Sequence, residues 1–190
     1  MTLAFGNLKD LRRTQGTESL NLCFWPGYVP LQQRWRNNGL SADFLGDYVT
    51  TFFPLDDGDP STRNRQAELR GAVSYIANEL LENAMKFHDA SATEPINISL
   101  SLEQDCIVFQ ESNGASAEAT ERYRQFVEKL LASDPGELYL QQLEENALTD
   151  SSAGLGYLTM INDYAAELAW RFEPTESGGF RVISQVTIKL

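Results

Sequence analysis

In the run Glu79-Leu80-Leu81-Glu82-Asn83-Ala84-Met85-Lys86-Phe87, a carboxylate, a carboxamide and an ammonium recur at offsets that bring side chains to one side of a helix. At about 100° per residue, Glu79, Asn83 and Lys86 fall within a narrow arc, beside an apolar stripe of Val73, Ile76, Leu80, Ala84 and Phe87. Polar groups thus line the margin of a buried face. Held there, they could orient a water, ligate a hard cation and neutralise a phosphate. The amide oxygen of Asn83 is a hard, uncharged ligand suited to magnesium. An amphipathic helix with a solvated charged flank would give the same run, so the helix alone leaves both readings open.

Further along, Gly154 and Gly156 flank Leu155 just ahead of a helical pattern through Leu158, Ile161, Ala165 and Leu168. Glycines there let the backbone approach a phosphate at a helix N-terminus, where unpaired N–H groups favour an anion. A lone Gly-x-Gly marks no more than a tight joint. Paired with the upstream run, it points to a nucleotide pocket.

The two elements, in this order, resemble those of the histidine kinase-like (GHKL) ATPase superfamily, shared by sensor histidine kinases, type II topoisomerases, ninety-kilodalton chaperones and mismatch-repair ATPases. Its N box reads Glu-x-x-x-Asn-Ala-x-Lys, and Glu79, Asn83, Ala84 and Lys86 stand in those places. The segment Ser152-Ala153-Gly154-Leu155-Gly156-Tyr157-Leu158 is similar to the glycine box that closes the nucleotide lid. Resemblance covers residues 60 to 190. One part departs from the pattern: where the superfamily carries Asp-x-Gly-x-Gly, with the aspartate reading the adenine amino group, this chain has Ser112-Asn113-Gly114-Ala115-Ser116. A serine hydroxyl can accept that bond, without charge and with less reach. More narrowly, the spacing of the Asn113 turn, the helical segment through Tyr123, Phe126, Val127, Leu130 and Leu131, the Leu138-Tyr139 pair and then Ala153-Gly154-Leu155-Gly156 resembles a bacterial family of single-domain kinases typified by the SiaB protein kinase.

The resemblance implies ATP and magnesium as cofactors, with Asn83 as the metal ligand. Glu79 or Glu82 would orient a water or the acceptor hydroxyl, and Lys86 would neutralise phosphate. Gly154, Leu155 and Gly156 would take the terminal phosphates, with Ser112, Asn113 and Gly114 under the base. It implies phosphorylation of Ser or Thr on a small regulatory partner, of the STAS-like or anti-sigma-antagonist kind, in a partner-switching pathway. The alternative is a degenerate, non-catalytic module that regulates by binding its partner, and the serine at position 112 favours it. Asp89 is a weaker candidate for the pocket rim. His88, the only histidine, is read as a helix-end residue facing the dipole.

A formal net charge of −12 and a pI near 4.5 exclude an extended nucleic-acid surface, which needs clustered Lys and Arg. No apolar run approaches the roughly 18 residues of a spanning helix, and no basic-then-apolar leader opens the chain, so a cytoplasmic protein without membrane insertion is expected. Cys23 and Cys106, far apart in apolar runs, read as buried reduced thiols. With 42% apolar residues, 190 residues suit one domain spanning 1–190.

The elements that must position these groups follow from periodicity. A polar segment to about Glu18, expected to be poorly ordered, precedes a strand over Leu20 to Trp25 and a turn at Pro26-Gly27. Leu31 to Arg36 is a short helical or irregular stretch; a helix capped by Ser41 then carries Phe44, Leu45, Tyr48 and Val49, an apolar face that is either core or a homodimer contact. Asp56 to Pro60 is a loop without calcium spacing. The long helix holding the N box starts at Ser61 or Thr62 and ends near His88. A hairpin of Ile96 to Leu102 and Cys106 to Gln110 leads into a turn at Ser112. Residues 117–152 form a lid of two helical patterns broken at Asp134-Pro135-Gly136, with a mobile run from Glu144 to Ser152. A terminal hairpin follows across Ser177-Gly178-Gly179. Strand pairs separated by long helices predict an α+β two-layer sandwich, helices on one face of a mixed, mostly antiparallel sheet.

Overall fold

The computed structural model describes residues 1–11, 18–25, 31–56, 58–149 and 154–190, with the backbone alone for 31–37 and 149. The expected turn at Pro26-Gly27 and the end of the run at residues 150–153 lie outside the described residues. The fold is α+β, a layer of helices on one antiparallel sheet.

Among the described residues there are six strands, β1 (Leu3–Phe5), β2 (Glu18–Phe24), β3 (Ile96–Leu102), β4 (Cys106–Ala115), β5 (Glu167–Pro174) and β6 (Phe180–Lys189). Five helices accompany them: α1 (Leu31–Thr50), α2 (Ser61–Phe87), α3 (Ala117–Ala132), α4 (Pro135–Thr149) and α5 (Leu155–Tyr164). The strand order is β1-β5-β6-β4-β3-β2, and every pairing is antiparallel. The sheet is therefore antiparallel throughout rather than mixed.

Because side chains alternate along a strand, register fixes which residues meet the helices. Ile107 and Phe109 of β4 belong to the core with Leu100, Val186, Trp170 and Phe172. Odd positions of β4 thus face the helices, and even ones, from Cys106 to Gly114, face outward. One inward row, read across paired strands, runs Leu22, Ile98, Glu111, Ser184, Trp170, Phe5. Glu111 is the one carboxylate in that row.

Helix α2 lies over the sheet. Its Leu, Ala and Glu content favours helix, and Val73, Ile76, Ala77, Leu80, Leu81 and Ala84 form its buried face. Each large apolar side chain withdrawn from water there contributes about 1.5–3 kcal/mol. Phe87, expected on that stripe, stays 45% exposed at the helix end. The helix stops at His88, whose backbone is extended.

Several boundaries differ from the sequence expectation. Helix α1 is continuous from Leu31, so Ser41 sits within it rather than capping it; Ala42, Leu45 and Val49 pack in the core, and that burial outweighs the roughly 1 kcal/mol cost of Gly39 in a helix. Its opposite side leaves Leu40 and Phe44 exposed. Leu3–Phe5 forms an edge strand in the segment expected to lack order. Cys23 faces outward from β2 and is exposed, not buried, whereas Cys106 is buried. Strand β4 runs through Ser112, Asn113 and Gly114, where a turn was expected, because β6 pairs with it up to Ala115.

Candidate functional site

Helices α2, α3, α4 and the start of α5 enclose a cavity of about 720 Å³. From α2 it receives Glu79, Glu82, Asn83 and Lys86; from α5, Gly154, Leu155, Gly156 and Tyr157. The helical spacing of Glu79, Asn83 and Lys86 and the loop-to-helix joint therefore converge on one space, although the chain separates them by the whole β3–β4 hairpin and two helices. Arg122, Tyr123 and Phe126 of α3 and Tyr139 and Gln142 of α4 form the opposite wall.

Gly154 is the N-cap of α5 with φ +83°, a left-handed conformation that side chains oppose, and it rests against Gln142. This joint aims the first amides of α5, the positive end of its dipole, into the cavity. Gly156 sits so close to Glu79 that a Cβ would collide with Glu79 Oε2. Glycine here admits a carboxylate to the helix N-terminus. Burial, and then the neighbouring Glu82, raise the Glu79 pKa, so the site is short of positive charge at that point. Asn78 Nδ2 donates to Glu82 Oε1 at 2.8 Å and fixes that carboxylate one turn away. Lys86 lies 5.4 Å from the centroid of the Phe87 ring.

A second, small chamber of about 10 Å³, room for about one water, lies inward of the main cavity. Asn83, Phe87, Ala119, Tyr123 and Tyr157 line both spaces. Glu111, Asn113, Thr120 and Ser184 line the inner one. Glu111 is 2% exposed, and its Oε1, like Thr120 Oγ1, has no hydrogen-bond partner. Burial holds the Glu111 carboxyl well above the usual carboxylate range, and Ser184 and Arg181 pull it back only in part. A neutral carboxyl group here offers both a donor and an acceptor.

Above this chamber stands a tyrosine cluster. Trp170 Nε1 donates to Tyr123 Oη at 2.9 Å, and that oxygen lies 2.6 Å from Tyr157 Oη and 3.2 Å from Ser184 Oγ. Phe87 and Tyr123 stack at 6.3 Å with an interplanar angle of 13°. Burial raises the pKa of both tyrosines, keeping them neutral.

Glu79, Glu82, Asn83, Lys86, Gly154, Leu155 and Gly156 line one cavity, with Asn113 in the adjoining chamber. Ser112 does not join them. It occupies an outward position of β4, where Arg181 Nη2 donates to its hydroxyl at 3.3 Å, with the sheet between it and the cavity. Gly114 also lies outside: its carbonyl accepts from Asp89 N–H at 2.8 Å, and Asp89 borders a separate depression with Gly114. His88 is buried with both ring nitrogens unpartnered, and burial lowers its pKa. It is neutral there, not a cation answering the helix dipole. Glu111, Thr120 and Arg122 were not singled out from the sequence, and Tyr123 and Tyr157 were named only within their segments, without a role at the site. The alternation Ile107, Phe109, Glu111, Asn113 carries the signal for Glu111 once the strand is extended past Gln110.

Neither a family model nor a curated protein sequence matches this chain. Among solved structures, a chain of the SiaB–SiaC complex from Pseudomonas aeruginosa matches it with a TM-score of 0.54, covering 90% of this chain and 89% of that one at 13% identity. The two chains share a fold. The likeness extends through nearly the whole of both. That neighbour was solved as a complex of two proteins.

Proposed function

We propose that the cavity binds magnesium–ATP and that the protein is a regulatory kinase, transferring phosphate to Ser or Thr of a small partner protein in a partner-switching system. One observation carries the reading: Glu79, Asn83 and Lys86 share a single cavity with the glycine-flanked N-terminus of α5. These are the groups that phosphoryl transfer asks for, a hard-oxygen ligand set, a cation and a cluster of backbone amides. The donors fit magnesium, since Asn83 and Glu79 offer oxygens and the raised pKa of Glu79 marks a place where added positive charge is favourable. When bound, magnesium would be held by Asn83 and would draw negative charge from the phosphate.

In this reading the amides of Leu155 and Gly156 hold the terminal phosphates, and Lys86, with Arg122 on the facing helix, neutralises them. Glu82 or Glu79 accepts the proton of the partner's hydroxyl. The base lies toward Phe87, Tyr123 and Asn113, where Glu111 rather than Ser112 supplies the polar edge. Helices α3 and α4 act as the lid and as the surface the partner meets. The solved neighbour, itself in a two-protein complex, supports a small protein as that partner.

A second reading, a module that binds its partner without catalysis, is favoured by the inner chamber, which has room for about one water and lies behind Phe87 and Tyr123. Calorimetric titration of ATP, with and without magnesium, into wild type and Asn83→Ala separates the two. Magnesium-dependent binding at micromolar ATP, lost in Asn83→Ala, supports the kinase. Equal affinity in both proteins removes Asn83 as the metal ligand, and no heat at millimolar ATP leaves the binding module.

A further inference from the structure

The side chain of Lys9 reaches the sulfur of Cys106 on the outward face of the sheet, remote from the cavity. Lys9 Nζ lies 3.0 Å from Cys106 Sγ and 3.0 Å from Glu103 Oε2, and Cys106 Sγ is 3.3 Å from the same carboxylate oxygen. The arrangement is built rather than incidental. Both backbone groups of Lys9 are clamped by one side chain of β6: its N–H donates to Gln185 Oε1 at 2.7 Å, and its carbonyl accepts from Gln185 Nε2 at 2.9 Å. Glu103 and Cys106 are held in turn by the β3–β4 connection, where Glu103 N–H donates to Cys106 O at 2.9 Å.

We propose that Lys9 and Cys106 form an oxidation site: a peroxide converts the pair into a covalent Nζ–O–Sγ bridge that fastens the N-terminal segment to the sheet. The separation selects this product. A nitrogen and a sulfur joined through one oxygen sit roughly 2.7 Å apart, close to the contact already present, whereas a direct N–S bond near 1.7 Å demands a far larger shift.

The chemistry balances with hydrogen peroxide as oxidant. In the first step the peroxide O–O bond breaks, one oxygen joins sulfur as S–OH and the other leaves as water. Glu103 accepts a proton from the Lys9 ammonium. A second peroxide then removes one N–H and the O–H hydrogen with two electrons as the N–O bond forms, and departs as two waters. In the resting protein, the hydrogen bonds Lys9 donates to Cys106 and Glu103 hold it as an ammonium, and burial keeps Cys106 a thiol, so the pair waits for an oxidant. Cys106 is 3% exposed, but the Lys9 side chain is 36% exposed, and a small oxidant arrives along it. Glu103, Asp105 and Cys106 also have the spacing of metal ligands, but the Lys9 ammonium already occupies the sulfur and the Glu103 carboxylate.

The test treats the full chain with hydrogen peroxide and maps its peptides by mass spectrometry, with Cys23→Ser leaving Cys106 as the sole thiol. The expected product is a linked pair of peptides containing Lys9 and Cys106, about 14 Da heavier than their sum, one oxygen gained and two hydrogens lost. Dithiothreitol should release both peptides. Lys9→Arg keeps a cation beside Glu103 and the fold, yet should abolish the link, as should Cys106→Ser. Recovery of Cys106 as free thiol, or as sulfenic, sulfinic or sulfonic acid with Lys9 unmodified, overturns the proposal.

Discussion

Replacing Glu111 by Gln tests the electrostatics of the inner chamber directly. Glu111 is walled by Asn83, Asn113, Thr120, Tyr123 and Ser184, with one oxygen lacking any partner. The nearest cation in sequence register, Arg181, projects to the other side of the sheet toward Ser112, so it offsets a charge at Glu111 only in part. The folded protein therefore keeps this carboxyl protonated at a pH where the unfolded chain, near 4.5, has lost its proton. The folded state then binds one more proton than the unfolded state, so stability falls as pH rises. The slope is up to about 1.4 kcal/mol per pH unit, beginning near the unfolded value and ending at the raised folded one. Glutamine supplies the donor and acceptor of the neutral acid without a titration, and at low pH the two proteins should agree within about 1 kcal/mol. Urea denaturation of both proteins at a series of pH values upward from about 4.5 isolates the effect, since every other titration cancels in the difference. Glu111→Gln should gain on wild type steadily with pH. Parallel profiles would refute the reasoning, by showing that water or a counter-charge reaches Glu111 in the folded state.

Tyr123→Phe removes the oxygen that accepts from Trp170 Nε1, leaves a buried N–H unpaired, and should cost about 1–3 kcal/mol in denaturation followed by tryptophan fluorescence. Gly154→Ala places a side chain at φ +83° against Gln142 and should destabilise by about 1–2 kcal/mol, seen as a lowered thermal midpoint. A maleimide should label Cys23 in the native protein and reach Cys106 only after denaturation, because the first is exposed and the second buried. Double labelling of the native state would contradict the packing of β4.

The parts of the fold legible in the sequence are those where local signals agree. Helix α2 has a long unbroken apolar period; the break between α3 and α4 falls at Asp134-Pro135-Gly136; both hairpins alternate and turn where polar or glycine residues interrupt them. The failures occur where tertiary contacts overrule local chemistry. Ser112-Asn113-Gly114 has turn composition, yet β6 supplies a continuous pairing partner and holds it extended. That single change of state decides the site, since alternation then turns Glu111 and Asn113 inward and Ser112 outward. Gly39 and Ser41 look like a helix boundary, but the packing of Leu45 and Val49 carries α1 through them. Leu3–Phe5 is too short to announce a strand without the edge of β5 beside it. The shared face of Glu79, Asn83 and Lys86 was legible because helical spacing fixes a face without any tertiary information; the aromatic wall from α3 was not, because nothing local says which of its faces meets α2.

Strand β1 has a further consequence for how the protein comes to be made. Its partner for Leu3 is Phe172, so the first strand of the sequence waits for nearly the last before it can pair. Loop closure over that separation is slow compared with the hairpins β3–β4 and β5–β6. Until it happens, one border of the sheet is a row of unsatisfied amides and carbonyls, open to a strand from any neighbouring chain. Leu3–Phe5 covers part of that border and leaves a short edge strand in its place, and the interval before it pairs is when a chain of this protein is most exposed to aggregation.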